Sequence, residues 1–265
     1  MPANNYHPES YWTEVANRIE KRPDRNVVAG DDEPYYRYKR NQVLDMLRKL
    51  DWKDRNVLEF GCGPGGNLKE IAHLQPKSLT GMDISQRMLE MAKVNLEGLP
   101  VHWVKTNGHA LEVQDNAFDL IFTVTVLQHN TDELQLEIII KELCRVGSRD
   151  IYIYEKTASR IRGDILCLAR PVSHYASIFK KNGFVFVKSN PLKIYVSYLI
   201  CGIIRKLLNP SSRKEGEPLN SLSTFLQRTL LPFTQIIDPF IPVYNDLTEM
   251  HFTRKDADIQ TNKLK

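Results

Sequence analysis

Four cysteines in 265 residues, Cys62, Cys144, Cys167 and Cys201, are too few and too scattered for a disulfide framework. They form no C-x-x-C pair and no other ligand spacing, so no metal site is expected, and reduced thiols in a cytoplasmic setting follow. Long hydrophobic runs are missing too. The most apolar stretch, I-Y-V-S-Y-L-I-C-G-I-I at 194–204, falls short of the roughly 18 residues a spanning helix needs. The first ten residues, M-P-A-N-N-Y-H-P-E-S, are polar and predict neither signal peptide nor anchor, and no internal repeat is visible.

What is present is an alternation of apolar strands and amphipathic helices, which predicts an α/β chain with a mostly parallel sheet covered on both faces. Its most informative stretch is N-V-L-E-F-G-C-G-P-G-G-N at 56–67, a short strand running into a turn with Gly61, Gly63, Gly65 and Gly66. Glycines allow positive φ and close approach of a ligand to the backbone, above the N-terminus of the next helix. Gly61, Gly63 and Gly66 also satisfy the dinucleotide fingerprint, so the turn alone admits either a nicotinamide cofactor or S-adenosylmethionine.

Later features narrow the choice. S-L-T-G-M-D-I-S at 78–85 reads as a second strand ending in Asp83, about 20 residues past the turn, where a ribose diol expects a carboxylate. Ser85 can cap a helix carrying Met88, Leu89 and Ala92 on one face. A third strand, 101–105, leads into Asn107-Gly108-His109-Ala110, and a fourth, F-D-L-I-F-T at 118–123, exits into V-T-V-L-Q-H-N. From about Tyr35 to Val187 this order resembles the class I methyltransferase family, in its small-molecule branch. The resemblance implies a Rossmann-like seven-stranded sheet with the last strand antiparallel. It also implies S-adenosyl-L-methionine as cofactor, with S-adenosyl-L-homocysteine as product.

Carried onto this chain, the resemblance assigns the methionine end of the cofactor to Glu59 and the backbone of Gly61, Cys62, Gly63 and Gly65. Asp83 takes the ribose hydroxyls, and Ile84 and Met88 sandwich the adenine. Asn107 stands where the family has an aspartate, and its side-chain oxygen can still accept from the adenine amino group. Gly108 and His109 would offer backbone amides to the ring, and Thr123 with Gln128 would floor the sulfonium. Tyr11 or Arg37, from helices at about 9–20 and 35–50, would reach the cofactor carboxylate. Each placement has a plainer competitor: an acid at a strand end is commonly a helix cap, Met88 belongs to an apolar stripe that must be buried anyway, Asn-Gly is an ordinary turn, and the Y-Y-R-Y cluster at 35–38 can be amphipathic packing.

The expected organisation is a helical N-terminal lid over 1–50, a cofactor-binding core over 51–190, a helical insertion or cap over 191–247, and a last strand and tail over 248–265. A long helix over 131–146 is expected to turn Leu134, Ile138 and Leu143 inward. A fifth strand, D-I-Y-I-Y-E, ends at Glu155, and a helix from Ser173 closes at Gly183 before a sixth strand. The insertion of about sixty residues is far longer than an ordinary connection. Its apolar segments over 194–241 either lie in a membrane interface or cap the substrate pocket.

Residues 160–265 hold 16 Lys and Arg against 8 Asp and Glu, whereas residues 1–159 hold 20 against 24. A basic second half favours an anionic, lipid-linked or diphosphate acceptor, at the inner face of a membrane, although a solvated basic face gives the same count. For an oxygen acceptor, His129 is the leading candidate base, with His174 and Glu155 behind it. Base-amine methylation is disfavoured, because such enzymes resemble one another in an Asp/Asn-Pro-Pro-aromatic turn where this chain has Thr123-Val124-Thr125-Val126. A tRNA or protein acceptor, a nicotinamide-dependent oxidoreductase and a catalytically silent binding protein remain alternatives. Oligomeric state is not legible.

Overall fold

Strands that are buried on both faces must be apolar at nearly every position, and the first, second and fourth strands read that way. A computed structural model describes residues 6–22, 33–241 and 247–255. Its elements run α1 (Pro8–Glu20), α2 (Pro34–Leu47), β1 (Asn56–Phe60), α3 (Gly66–Ile71), β2 (Ser78–Asp83), α4 (Gln86–Asn95), β3 (Val101–Lys105), β4 (Phe118–Val124), α5 (Glu133–Val146) and β5 (Gly147–Lys156). After these come β6 (Arg162–Gly163), β7 (Leu168–Ala169), α6 (Val172–Lys181), β8 (Phe184–Pro191), α7 (Tyr195–Leu208), α8 (Ser221–Ile237) and β9 (Leu247–Arg254). Most of the connection expected over 22–34, and the tail beyond Lys255, lie outside the described residues.

The main sheet has seven strands in the order β3-β2-β1-β4-β5-β9-β8. The first five pair in parallel, and β9 runs antiparallel between β5 and β8, as expected for the last strand. The order reverses between β1 and β4, and a crevice opens outside the carboxyl ends of the strands at such a reversal. The residues after β1, β2 and β4 therefore converge there.

One apolar core lies under α5 and α6, where Phe179 stacks on Phe252 with ring centres 4.0 Å apart. A second core joins α2, β1 and the inner side of α7, with Trp52 edge-on to Phe122. A third, small cluster of Val15, Ala16, Ile19 and Met88 packs α1 onto α4. Burying Val15 and Ile19 stabilises that contact by about 1.5–3 kcal/mol each.

Local signals set the helix ends. Ser85 caps α4 by accepting from the Met88 amide, Asp132 caps α5 through the Leu134 amide, and Gly183 closes α6 at φ 84°. The inward face expected for α5 needs correction. Leu134 is 72% exposed and Ile138 38%, while Leu136, Ile139, Ile140 and Leu143 form the buried stripe. The helix begins at Glu133 rather than Thr131, and the apolar triplet Ile138-Ile139-Ile140 admits more than one phase. The short β6–β7 hairpin is also absent from the sequence reading. Two residues a side are too few for period-2 alternation to show.

Candidate functional site

The crevice is a cavity of about 460 Å³ walled by α1, α2, the turns after β1, β2 and β4, and the inner side of α7. At its base is the glycine turn. Gly61, Gly63 and Gly65 have φ of 75°, 52° and 82°. The Gly61 and Cys62 amides both donate to the Met82 carbonyl, at 2.7 and 2.9 Å, which locks the turn onto β2. A Cβ on Gly61 would fall 2.3 Å from Val126 Cγ2, whereas one on Gly63 would meet nothing within 4 Å. Gly61 is thus required by the chain itself, and Gly63 faces open cavity. Gly65 belongs to packing: its Cβ would strike Leu96, and it does not line the cavity.

Two buried carboxylates face this turn. Asp83 accepts from the Gly63 and Ser85 amides, both at 2.8 Å, and burial still pushes it up to about 6. A carboxylate has about four lone-pair sites, so two remain for hydroxyl donors. Glu59 accepts from Asn67 Nδ2 at 2.8 Å through one oxygen, and its other oxygen is buried without a protein partner. Burial pushes Glu59 up to about 8 against the pull of Asn67 and Arg40. An unpartnered acceptor lining a cavity fits a cationic donor on a ligand, and such a donor would restore the ionised form. The amino group and ribose diol of the cofactor implied by the sequence match these two acids.

Ile84, Met88 and Gly108 line the cavity as expected. Asn107 and His109 do not. Asn107 Oδ1 accepts from the His109 and Ala110 amides at 2.8 and 3.0 Å, so both the side-chain oxygen and the His109 amide are committed to an exposed turn. The carboxamide oxygen closes its own loop, as the side chains of both Asn and Asp do in such turns. The Gly108 amide likewise donates to Thr106 Oγ1, and Thr106, which sequence reasoning missed, takes a place in the wall.

The turn after β4 is clamped from below. Glu155, fully buried at the end of β5, accepts from the consecutive amides of Val126, Leu127 and Gln128 at 2.9–3.1 Å. Buried Arg170 donates to the carbonyls of Leu127 and Asn130 and to Glu133. Burial pushes Glu155 up to about 7, with the three amides and Arg170 opposing. Glu155 is therefore a positioning group rather than the base considered from sequence. His174 is removed from the site as well, since it sits on α6 against Glu133 at 2.8 Å and does not line the cavity.

His129 does line the cavity. A carbonyl only accepts, so the Leu166 oxygen at 2.7 Å from Nδ1 assigns the proton to Nδ1. Nε2 then accepts from Gln128 Nε2 at 3.2 Å, and the ring meets Trp12 edge-on at 5.1 Å. Burial holds the imidazole neutral, down to about 4. The expectation that it titrates near working pH is thereby corrected, because burial disfavours the charged ring more than the Leu166 carbonyl favours it. Thr123 also departs from expectation: it is fully buried behind the wall, and the floor is made by Val124, Thr125 and Val126 with Gln128.

Of the two residues expected to descend from the N-terminal helices, Arg37 reaches the cavity and Tyr11 does not. The Tyr11 hydroxyl donates to Glu215 Oε2 at 2.7 Å, beside Arg18 Nε, which donates to the Glu215 carbonyl at 2.6 Å. Trp12, one turn from Pro8 and Ala16, faces in instead. The wall also carries Lys39, Arg40, Lys156, Arg205 and Arg213, so with Arg37 cations outnumber the acids Glu59, Asp83 and Glu215.

Residues 57–149 match the family model described as a methyltransferase domain. Over 109 residues, covering 40% of this chain and 37% of the relative, the chain is 34% identical to malonyl-[acyl-carrier protein] O-methyltransferase of Legionella pneumophila. It spans less than half the length of the first curated relatives it matches. Two solved structures share the fold across nearly the whole chain. One is magnesium protoporphyrin IX methyltransferase from Synechocystis PCC 6803 with bound SAM (13% identity, TM-score 0.59, 93% of this chain and 95% of that one). The other is the [4+2]-cyclase SpnF (15% identity, TM-score 0.63, 93% and 94%). At these identities the likeness is one of fold.

Proposed function

We propose that this protein, whose residues 57–149 match the methyltransferase-domain model, transfers a methyl group from S-adenosyl-L-methionine to an oxygen of a small anionic acceptor. One observation carries the cofactor reading: an unpartnered buried Glu59 oxygen and the half-satisfied Asp83 carboxylate face the same cavity on either side of an open Gly63. The bound cofactor supplies an electrophilic methyl on a sulfonium. Glu59 and the Gly61 and Gly63 carbonyls would hold its amino group, Asp83 its ribose, and Ile84 and Met88 its adenine.

Methyl displacement is in-line, so the protein's task is alignment and exclusion of water. The Glu155–Arg170 clamp fixes the floor, and α1, sealed onto α4 by Val15 and Ile19, provides the roof. His129 lines the cavity neutral and protonated on Nδ1, and an acceptor hydroxyl donating to Nε2 would take the place of the 3.2 Å hydrogen bond from Gln128 Nε2. Such a group orients the nucleophile and takes its proton late in the displacement.

The excess of cations in the wall supports an acceptor bearing phosphate or carboxylate, and the relative's O-methyltransferase name supports oxygen. A lipid-linked or glycan phosphate meets both requirements and brings the enzyme to a membrane surface.

Incubation with methyl-labelled cofactor and separate lipid, saccharide and RNA extracts tests this reading. Label is expected in the acidic lipid or saccharide fraction. Label confined to RNA overturns the acceptor, and calorimetric binding of NAD but not S-adenosylhomocysteine overturns the cofactor. His129→Ala is expected to lower kcat at least tenfold with cofactor Kd changed less than threefold. Unchanged kcat removes His129 from the reaction.

A further inference from the structure

A surface helix of a globular protein ordinarily buries its apolar stripe and shows water its polar one. The α7–α8 hairpin does the reverse. On α8 the buried positions are Ser223, Gln227, Leu231 and Thr234, continued by Asp238. Leu222, Phe225, Phe233, Ile236 and Phe240 recur at helical spacing on the opposite side, 52–77% exposed. On α7, Ser197, Cys201 and Ile204 point inward, while Leu199, Ile203 and Leu207 are 44–76% exposed.

The inward polar groups satisfy one another. Ser197 Oγ donates to Asp238 Oδ2 at 2.6 Å and lies 2.7 Å from Thr234 Oγ1, and the Val196 and Ser197 amides donate to Asp238 Oδ1. Gln227 Nε2 donates to Glu33 Oε2 at 3.1 Å. Small hydroxylated residues between helices, with large apolar residues outside, are what helices adopt against hydrocarbon, where packing on a neighbour gains nothing over contact with lipid tails.

Among the described residues, 11 of the 18 exposed large hydrophobics fall between Tyr198 and Phe240, a clustering that marks an interaction surface rather than scattered exposure. Charge selects the occupant. From Leu192 to Ile241 the exposed charged residues are Lys193, Lys206, Lys214 and Arg228, all cationic, while Glu215 and Glu217 are half-buried and Asp238 is buried. A second copy seated on the same face would bring these cations together. Neither helix is long and apolar enough to cross a bilayer, and α8, roughly 25 Å long, contains Pro232. An apolar face rimmed by Lys and Arg on helices of this kind lies along an interface.

We propose that the outward face of α7 and α8 docks on an anionic lipid bilayer, with its phenylalanines and aliphatic residues at the acyl boundary and its four exposed cations among the headgroups. The inner side of the same hairpin contributes Tyr198 and Arg205 to the cavity wall, so docking sets the cleft at the membrane; only this consequence rests on the acceptor proposed above.

Flotation of the full chain with extruded vesicles tests the docking. It is expected to float with an equimolar mixture of phosphatidylcholine and phosphatidylglycerol, less at high salt, and at least tenfold less with phosphatidylcholine alone. The Phe225→Asp/Phe233→Asp variant should lose flotation at least tenfold while its thermal transition and S-adenosylhomocysteine binding in vesicle-free buffer are unchanged. Phe233→Trp should add a tryptophan emission that shifts blue on mixing with the anionic vesicles. The proposal is overturned if the chain stays in solution with every vesicle, if the double variant floats equally well, or if the chain sediments as a dimer that the double variant dissociates. Cofactor binding is read without lipid, so failure here leaves the methyl-transfer reading standing.

Discussion

Between Asn56 and Asn95 the chain buries most of its apolar side chains and directs two carboxylates at a cavity, whereas between Tyr195 and Phe240 it buries hydroxyls, an amide and an acid beside Cys201, Ile204 and Leu231, and directs phenylalanines outward. Both regions contain buried acids. Those near the glycine turn, Glu59 and Asp83, have unused acceptor capacity, and Asp238 under the hairpin is saturated by a tyrosine hydroxyl, a serine hydroxyl and two amides. Buried polar groups with capacity left over mark a place for a ligand, while saturated ones serve the protein's own packing. The exposed side then tells which medium that packing was built for.

Substitutions at the glycine turn should have the largest effects. Gly61→Val combines a left-handed backbone with a direct clash on Val126, and a loss of about 3–5 kcal/mol in urea unfolding is expected. Gly63→Ala, with open space around its Cβ, should lose only about 1 kcal/mol of stability but most of its cofactor affinity. Equal stability losses for the two would show that the turn tolerates side chains on either side. Asp83→Ala follows, at about 1–3 kcal/mol of S-adenosylhomocysteine binding by calorimetry. Unchanged binding would separate Asp83 from the ligand.

The three buried carboxylates give the next contrast. Glu59, Asp83 and Glu155 are held at about 8, 6 and 7 in the folded chain, above their unfolded values. Each therefore keeps a proton on folding that the unfolded chain releases. The stabilisation is complete below the unfolded carboxylate range and fades as pH rises through about 6 to 8. Without ligand, the melting temperature should fall across that window, and Glu59→Gln should flatten its upper part. A melting temperature that climbs from pH 5 to 8 would contradict this burial picture. The smallest effect is expected at the hairpin's outer face, where Phe233→Asp should change stability in buffer by less than about 0.5 kcal/mol. A larger loss would mean that Phe233 packs against protein.

Glycines and strand order were legible from the chain because they are local. Positive φ at positions 61 and 63 and an acid 20 residues later depend on the backbone itself, and the apolar runs of β1, β2 and β4 need only their own composition to be buried. Side-chain direction on amphipathic helices was less so. Tyr11 and Trp12 are adjacent aromatics, and which one enters the cavity depends on how α1 sits on α4. Asn107, Glu155 and His129 have roles set by partners at Ala110, Val126 to Gln128 and Leu166, and pattern does not announce such pairings.

What the amino-acid order determined by itself is the sheet, its glycine turn and the identity of the two carboxylates beside it, because backbone conformation and burial of whole strands follow from neighbouring residues. Tertiary structure alone decided that His129 is held neutral, that Glu155 is a clamp, and that the second helical pair is turned inside out. Each of these depends on which distant groups come within hydrogen-bonding or packing distance, and water's exclusion from a side chain is a property of the assembled fold.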